Sequence, residues 1–213
     1  MMLVGQYGSL RCLISVPSTH ASSATLWPLL CFLHGKGEAA PLDIEVALTR
    51  HGPLSPASAQ EATDHFVIVA PQLPLPGGDV WRSNVREVQQ VVDGAALEYR
   101  GDPARLYLTG FSYGGNGVLD LAPLMRPVWA ALWAVDPPRV PQGSAGRPVW
   151  LSAGPYARSQ RETFARALGV RDLSGAPTGD YVYRDADLGH VETARQAYAD
   201  SAPYQWLLDR SLG

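Results

Sequence analysis

The chain has 213 residues, 46% apolar and 17% charged, against roughly 25% charged in an average soluble domain, so it is no disordered chain and has ample material for one core. Its 21 glycines and 18 prolines exclude a long coiled coil or a plain helical bundle. The net charge of −3 comes without any run of Lys or Arg, and so offers no footprint for nucleic acid or anionic lipid.

Met1 to Tyr7 lacks the basic and apolar regions of a leader peptide, and no stretch reaches the ~20 apolar residues that span a bilayer. A cytoplasmic protein is expected. Ser9 to Val16 alternates as a half-buried strand, and Leu29 to Leu33 is a continuous apolar run ending at His34-Gly35, as in a central strand. Cys12 and Cys31 fall inside these two runs without metal-ligand spacing, which predicts buried free thiols. Further strands are predicted at Phe66 to Ala70, Leu106 to Thr109, Ala130 to Val135, Val149 to Ala153 and Tyr181 to Arg184. Between them, Val85, Val88, Val91, Val92, Ala95, Ala96 and Tyr99 recur at helical spacing, so Asn84 to Tyr99 is predicted as an amphipathic helix capped by Ser83 or Asn84. Gly114 to Leu124, Glu162 to Leu168 and Tyr204 to Asp209 are further predicted helices, and Ser18 to Thr25, Ser55 to Thr63 and Ser174 to Asp180 predicted loops. Alternating strands and helices imply an α/β domain over residues 1–213, with a mostly parallel sheet covered on both faces and function at the carboxyl ends of its strands.

Chemistry is concentrated in three places. Gly110-Phe111-Ser112-Tyr113-Gly114-Gly115 follows a predicted strand directly and opens a helix-compatible stretch. This is G-x-S-x-G in its strand-turn-helix context, which exposes a nucleophilic serine above the sheet and aims the next amide, that of Tyr113, at a developing oxyanion. His34-Gly35-Lys36-Gly37-Glu38, at the end of the first central strand, could supply the second oxyanion donor from the Lys36 amide. Lys36 is also the only lysine, which reads as the codon usage of a GC-rich, bacterial genome. His190 lies 78 residues beyond Ser112, in a predicted polar loop after the last predicted strand, in the chain order expected of a base that serves this serine. His20, His51 and His65 read as solvated side chains.

With these segments the chain resembles the α/β-hydrolases, and within them the small single-domain esterases of the phospholipase/carboxylesterase and polyhydroxybutyrate-depolymerase-like branch. The resemblance rests on Leu29 to Glu38, Val67-Ile68-Val69-Ala70-Pro71-Gln72, Asp102 to Gly115 and Gly189-His190, in that order. It implies a serine hydrolase acting on small-molecule carboxylic esters, with little or no lid and no metal or organic cofactor. One departure stands out. Relatives place an Asp after the penultimate strand to orient the His, and here Ala157 occupies that position in Ala153-Gly154-Pro155-Tyr156-Ala157. Asp136, in Val135-Asp136-Pro137-Pro138 one strand earlier, is the substitute expected, although an Asp before Pro is also a common turn former. Asp185 and Asp187 are too close to His190 along the chain, and a Ser-His dyad without an acid is the other possibility. Trp81, Trp129, Trp133 and Trp150 are candidate walls of a small open pocket or, equally, core residues, with Trp81 the substrate-binding candidate. An esterase is therefore the leading reading. A hydrolase-fold binding protein without activity and an acyltransferase are the alternatives.

Overall fold

The computed structural model describes residues 1–22, 25–125, 129–169 and 179–213. Residues 23–24 of the predicted loop Ser18 to Thr25, and 174–178 of the predicted loop Ser174 to Asp180, lie outside them. Eight strands form one sheet among the described residues: β1 (Met2–Tyr7), β2 (Leu10–Ser15), β3 (Trp27–Leu33), β4 (Val67–Gln72), β5 (Gly101–Phe111), β6 (Ala131–Val135), β7 (Val149–Ala153) and β8 (Tyr181–Asp185). Their spatial order is β1-β2-β4-β3-β5-β6-β7-β8. β1 and β2 pair antiparallel, as do β2 and β4, and every later pairing is parallel. The mostly parallel sheet expected from the sequence is thus present, with an antiparallel edge added at one side.

Alternation along the strands divides the core into two layers. Leu29, Cys31 and Leu33 of β3, with Leu106 and Leu108 of β5, face one layer, and Leu30, Phe32 and Tyr107 face the other. Helices α3 (Val85–Glu98), α4 (Tyr113–Leu121) and α6 (Arg161–Leu168) cover the first layer, while α1 (Ile44–Leu48), α2 (Gln60–His65), α7 (His190–Ala199) and α8 (Ser201–Leu208) cover the second. Short α5 (Pro155–Ser159) follows β7 directly. The central parallel strands β3, β4, β6 and β7, and β5 from Leu106 onward, are buried on both faces and so read as apolar runs. Cys12 and Cys31 are buried and unpaired, as expected.

Several expectations need correction. β1 lies where none was predicted, joined to β2 by the two-residue turn Gly8-Ser9, and its alternate residues remain exposed because it is the edge strand. β2 is buried on both faces except at Arg11, since α1 and α3 both pack against it. α2 begins within the predicted loop Ser55 to Thr63. Asn84 gives no side-chain cap to α3; its amide donates to Val80 O at 2.8 Å. His190, predicted in a loop, is the first residue of α7.

Because β3, β5, β6, β7 and β8 run parallel, their carboxyl ends emerge along one edge of the sheet. His34, Ser112, Asp136, Gly154 and the segment before His190 leave from that edge, which is where an open parallel sheet places its ligands.

Candidate active site

Ser112 ends β5 and caps α4 with φ 57° and ψ −120°, a left-handed conformation that costs energy for any residue with a Cβ. The turn is held by Ser112 N–H donating to Val135 O at 3.0 Å. Its tightness explains the flanking glycines. A Cβ at Gly114 would lie 1.9 Å from Leu33 O, and one at Gly110 would lie 2.4 Å from Gly114 O. The serine hydroxyl meets His190 Nε2 at 3.0 Å.

The other ring nitrogen of His190, Nδ1, lies 2.6 Å from Asp136 Oδ2. Asp136 is fully buried (0% exposed) and also carries positive φ, 39°. A carboxylate in that position requires hydrogen bonds, and it accepts three. Oδ1 takes the Gly154 N–H at 3.0 Å and the Ala157 N–H at 2.9 Å, while Oδ2 faces the imidazole. Gly154 has to be glycine, for a Cβ there would sit 2.5 Å from Asp136 Oδ2. An ionised carboxylate only accepts, so it selects the tautomer with the proton on Nδ1 and leaves Nε2 as the acceptor for the serine O–H. At Ala157, the position where the resemblance implies an acid, the backbone is engaged instead: its amide helps hold the carboxylate of Asp136, which follows the preceding strand. Asp185 and Asp187 are occupied elsewhere, both paired with Arg158.

The loop after β3 lies against the serine, with a Cβ at Gly35 only 3.2 Å from Ser112 Cβ. Several of its groups are engaged by hydrogen bonds. The Leu73 N–H donates to His34 Nε2 at 3.1 Å, so the neutral ring carries its proton on Nδ1, which donates to Gly35 O at 2.7 Å. Burial pulls the His34 pKa down to about 4, consistent with that neutral ring. The Gly35 N–H donates to Glu38 Oε2 at 2.7 Å, and Gln72 Nε2 donates to Glu38 O and Leu42 O. Glu38 is 2% exposed, and burial pushes its pKa up to about 7. Among the described residues neither the Lys36 N–H nor the Tyr113 N–H donates to a protein acceptor.

Trp81 does not line the site. It is 1% exposed, its Nε1–H donates to His34 O at 3.0 Å and its ring abuts the His34 ring edge-on at 5.0 Å, so it braces the loop from beneath. Trp129, Trp133 and Trp150 are buried in the core as well. His51, expected to be solvated, is half-buried with Nε2 3.8 Å from Glu38 Oε1 and its ring on Phe111. Sequence reasoning also missed a polar knot behind the serine. Arg139 bridges Asp79 (2.9 Å) and Asp120 (2.5 Å), and Asn116 binds both Asp79 and the Arg139 N–H. The knot ties the segment after Asp136 to α4, and no sequence signal could have found it, because Asp79, Asp120 and Arg139 lie far apart along the chain.

Among the described residues no group of three His, Cys, Asp or Glu side chains could hold a metal ion, and no helix is long and apolar enough to cross a membrane. A groove of about 770 Å³, lined among others by Met1, Val16, Val46 and Leu54, lies near Ser15, which pairs with Ile68 at the amino end of β4. It is therefore at the opposite end of the sheet from Ser112 and shares no residue with this cluster.

No protein-family profile and no curated protein sequence matches the chain. Solved structures do. An acetyl xylan esterase from Aspergillus awamori is similar with a TM-score of 0.68 at 13% identity, covering 97% of this chain and 99% of the other. An S-formylglutathione hydrolase from Staphylococcus aureus gives 0.68 at 12% identity, over 98% and 95%. A thermostable esterase gives 0.68 at 16% identity; all of this chain aligns, but it spans only 63% of that protein's length. Together with the strand order and the strand-turn-helix serine, these likenesses show that the chain has the α/β-hydrolase fold.

Proposed function

We propose that the protein is a serine hydrolase of carboxylic esters, with Ser112 as nucleophile, His190 as general base and acid, and Asp136 as the acid that orients the imidazole. One observation supports this most: a continuous hydrogen-bonded line from Asp136 Oδ2 through both ring nitrogens of His190 to Ser112 Oγ, at 2.6 and 3.0 Å. In the acylation half-reaction Ser112 Oγ bonds to the ester carbonyl carbon while its proton passes to His190 Nε2. The resulting oxyanion lies against the Lys36 and Tyr113 amides, whose N–H groups have no other protein acceptor among the described residues. Collapse of the intermediate breaks the bond to the alcohol oxygen, which takes the proton from Nε2. Water then gives a proton to Nε2 and bonds to the acyl carbon; collapse of this second intermediate breaks the bond to Ser112 Oγ, which takes that proton back from Nε2 as the acid departs. Nothing in this sequence requires a metal or an organic cofactor.

That the structurally similar proteins are an acetyl xylan esterase and an S-formylglutathione hydrolase agrees with this reading. The binding-protein alternative is motivated by the absence of an acid at Ala157, and a buried carboxylate 2.6 Å from the imidazole favours the esterase reading over it. Purified protein is expected to react with a fluorophosphonate probe and to hydrolyse p-nitrophenyl esters of short acids, with both activities lost in Ser112→Ala. Labelling that persists in that variant would exclude Ser112. A wild-type protein that neither labels nor hydrolyses would restore the binding reading, and ester exchange to added alcohols in preference to water would make it an acyltransferase.

A further inference from the structure

Tyr156 is the one large apolar side chain among the described residues that is both in ring contact with His190 and substantially exposed, at 47%. Its ring meets the imidazole edge-on, with centroids 4.8 Å apart and planes at 85°. Phe111 also packs on the imidazole, at 4.5 Å, but it is buried.

An exposed tyrosine on a mobile loop would carry little meaning, yet the segment that presents Tyr156 is fastened on both sides. Asp136 Oδ1 holds the amides of Gly154 and Ala157, and Arg158 forms two hydrogen bonds to Asp185 and a third to Leu188 O, just ahead of His190. Gln160 Nε2 donates to Tyr156 O and Pro138 O. The ring is thus a preorganised surface whose exposed area contributes nothing to the core. With its backbone already fixed, ordering it costs little further entropy when a ligand arrives.

Resting on the esterase reading above, we propose that Tyr156 forms the alcohol side of the cleft and makes the enzyme selective for esters whose leaving alcohol bears an aromatic ring. The chemistry of the imidazole decides which half of the substrate meets it. Nε2 delivers its proton to the departing oxygen, so the alcohol oxygen must come to Nε2 and its substituent must lie along whatever borders the imidazole on the solvent side. The acyl carbonyl points the other way, toward the Lys36 and Tyr113 amides. Of the two rings on His190 only Tyr156 has surface to offer, and a flat aromatic surface favours an aromatic partner in an offset or edge-to-face arrangement.

Benzyl acetate and allyl acetate separate this idea from its rivals, since they share the acyl group and their alcohols are of nearly equal acidity. The wild-type kcat/KM ratio of benzyl to allyl ester is expected to be about tenfold above that of Tyr156→Ala, with Tyr156→Phe retaining the wild-type ratio. The relative rates of methyl acetate, methyl butyrate and methyl benzoate should keep their order in Tyr156→Ala. An unchanged benzyl-to-allyl ratio, or equal loss on both esters, would make the ring a mere prop for the imidazole and overturn the proposal while leaving the esterase reading intact. A reordered acyl series would overturn it by moving Tyr156 to the acyl side. Failure of the wild type to hydrolyse any of these esters or to react with a fluorophosphonate would overturn both readings together.

Discussion

Asp136 orients the imidazole through Oδ2 and gathers the start of α5 through Oδ1, and the two tasks respond differently to substitution. In Asp136→Asn the retained Oδ1 still accepts the two amides, so the fold is expected to stay intact. The new amide group instead favours the wrong tautomer of His190, and turnover on p-nitrophenyl acetate should fall by up to ~10⁴. Unchanged turnover with a native circular dichroism spectrum would remove Asp136 from the mechanism. Ser112 and Asp136 were legible in the sequence to different degrees for a physical reason. The serine is specified by its immediate neighbours, because Gly110 and Gly114 are required by contacts within one turn and with Leu33. The acid depends on how three loops meet, and nothing in Val135-Asp136-Pro137 distinguishes a catalytic carboxylate from a turn former. Of the two readings of Trp81, wall or core, the sequence could not choose, because its packing beneath the His34 loop is a tertiary fact.

At the scale of elements, the loop after β3 is a rigid device braced from several directions, by Leu73 and Gln72 at the end of β4, by Glu38 from within the loop and by Trp81 from below. Its rigidity matters because oxyanion donors contribute most when they need no reorganisation during the reaction. Trp81→Phe deletes the donor to His34 O while keeping most of the apolar volume. One buried hydrogen bond lost predicts a destabilisation of about 1–2 kcal/mol in urea unfolding and, if the loop loosens, a kcat reduced about tenfold with KM little changed. A variant that loses stability but keeps full kcat would show that the loop does not need Trp81 as a brace. The strands of this frame were legible because strands buried on both faces read as apolar runs bounded by turns. α7 was not: Gly189 offers no side-chain cap, and the buried face of the helix is built largely from small residues, Thr193, Ala194 and Ala197, which give a weak periodic signal. The polar appearance of Gly189-His190 therefore suggested a loop, although the base still reached the serine.

For the molecule as a whole, the loop after β3 couples its architecture to pH through two buried groups of opposite tendency. His34, with its pKa lowered from 6.5 to about 4, resists taking a proton in the folded state. Its contribution to stability is complete above pH 6.5 and is lost as pH falls toward 4. Glu38, with its pKa raised from 4.5 to about 7, resists losing one; its contribution is complete below pH 4.5 and is lost as pH rises through 7. Between pH 4.5 and 6.5 the two slopes oppose each other, so wild-type stability should vary little there on their account. Arg50 and His51 also face Glu38, and the nearby Arg50 charge moderates its rise without reversing it, because burial is the larger cause. Glu38→Gln keeps an oxygen for the Gly35 N–H and removes the ionisation. Whatever constant offset the substitution brings, its stability relative to wild type should improve steadily as pH rises from 4.5 to 7 and then level off, by on the order of 3 kcal/mol at most. Urea unfolding of both proteins at pH 4, 5.5, 7 and 8 measures this directly. A difference that stays constant with pH would mean that Glu38 ionises in the folded protein as readily as in the unfolded chain, and one that grows toward acid would reverse the assigned sign. With the carboxylate gone, the variant should also show the uncompensated slope of His34, losing stability as pH falls from 6.5 to 4 more steeply than the wild type does.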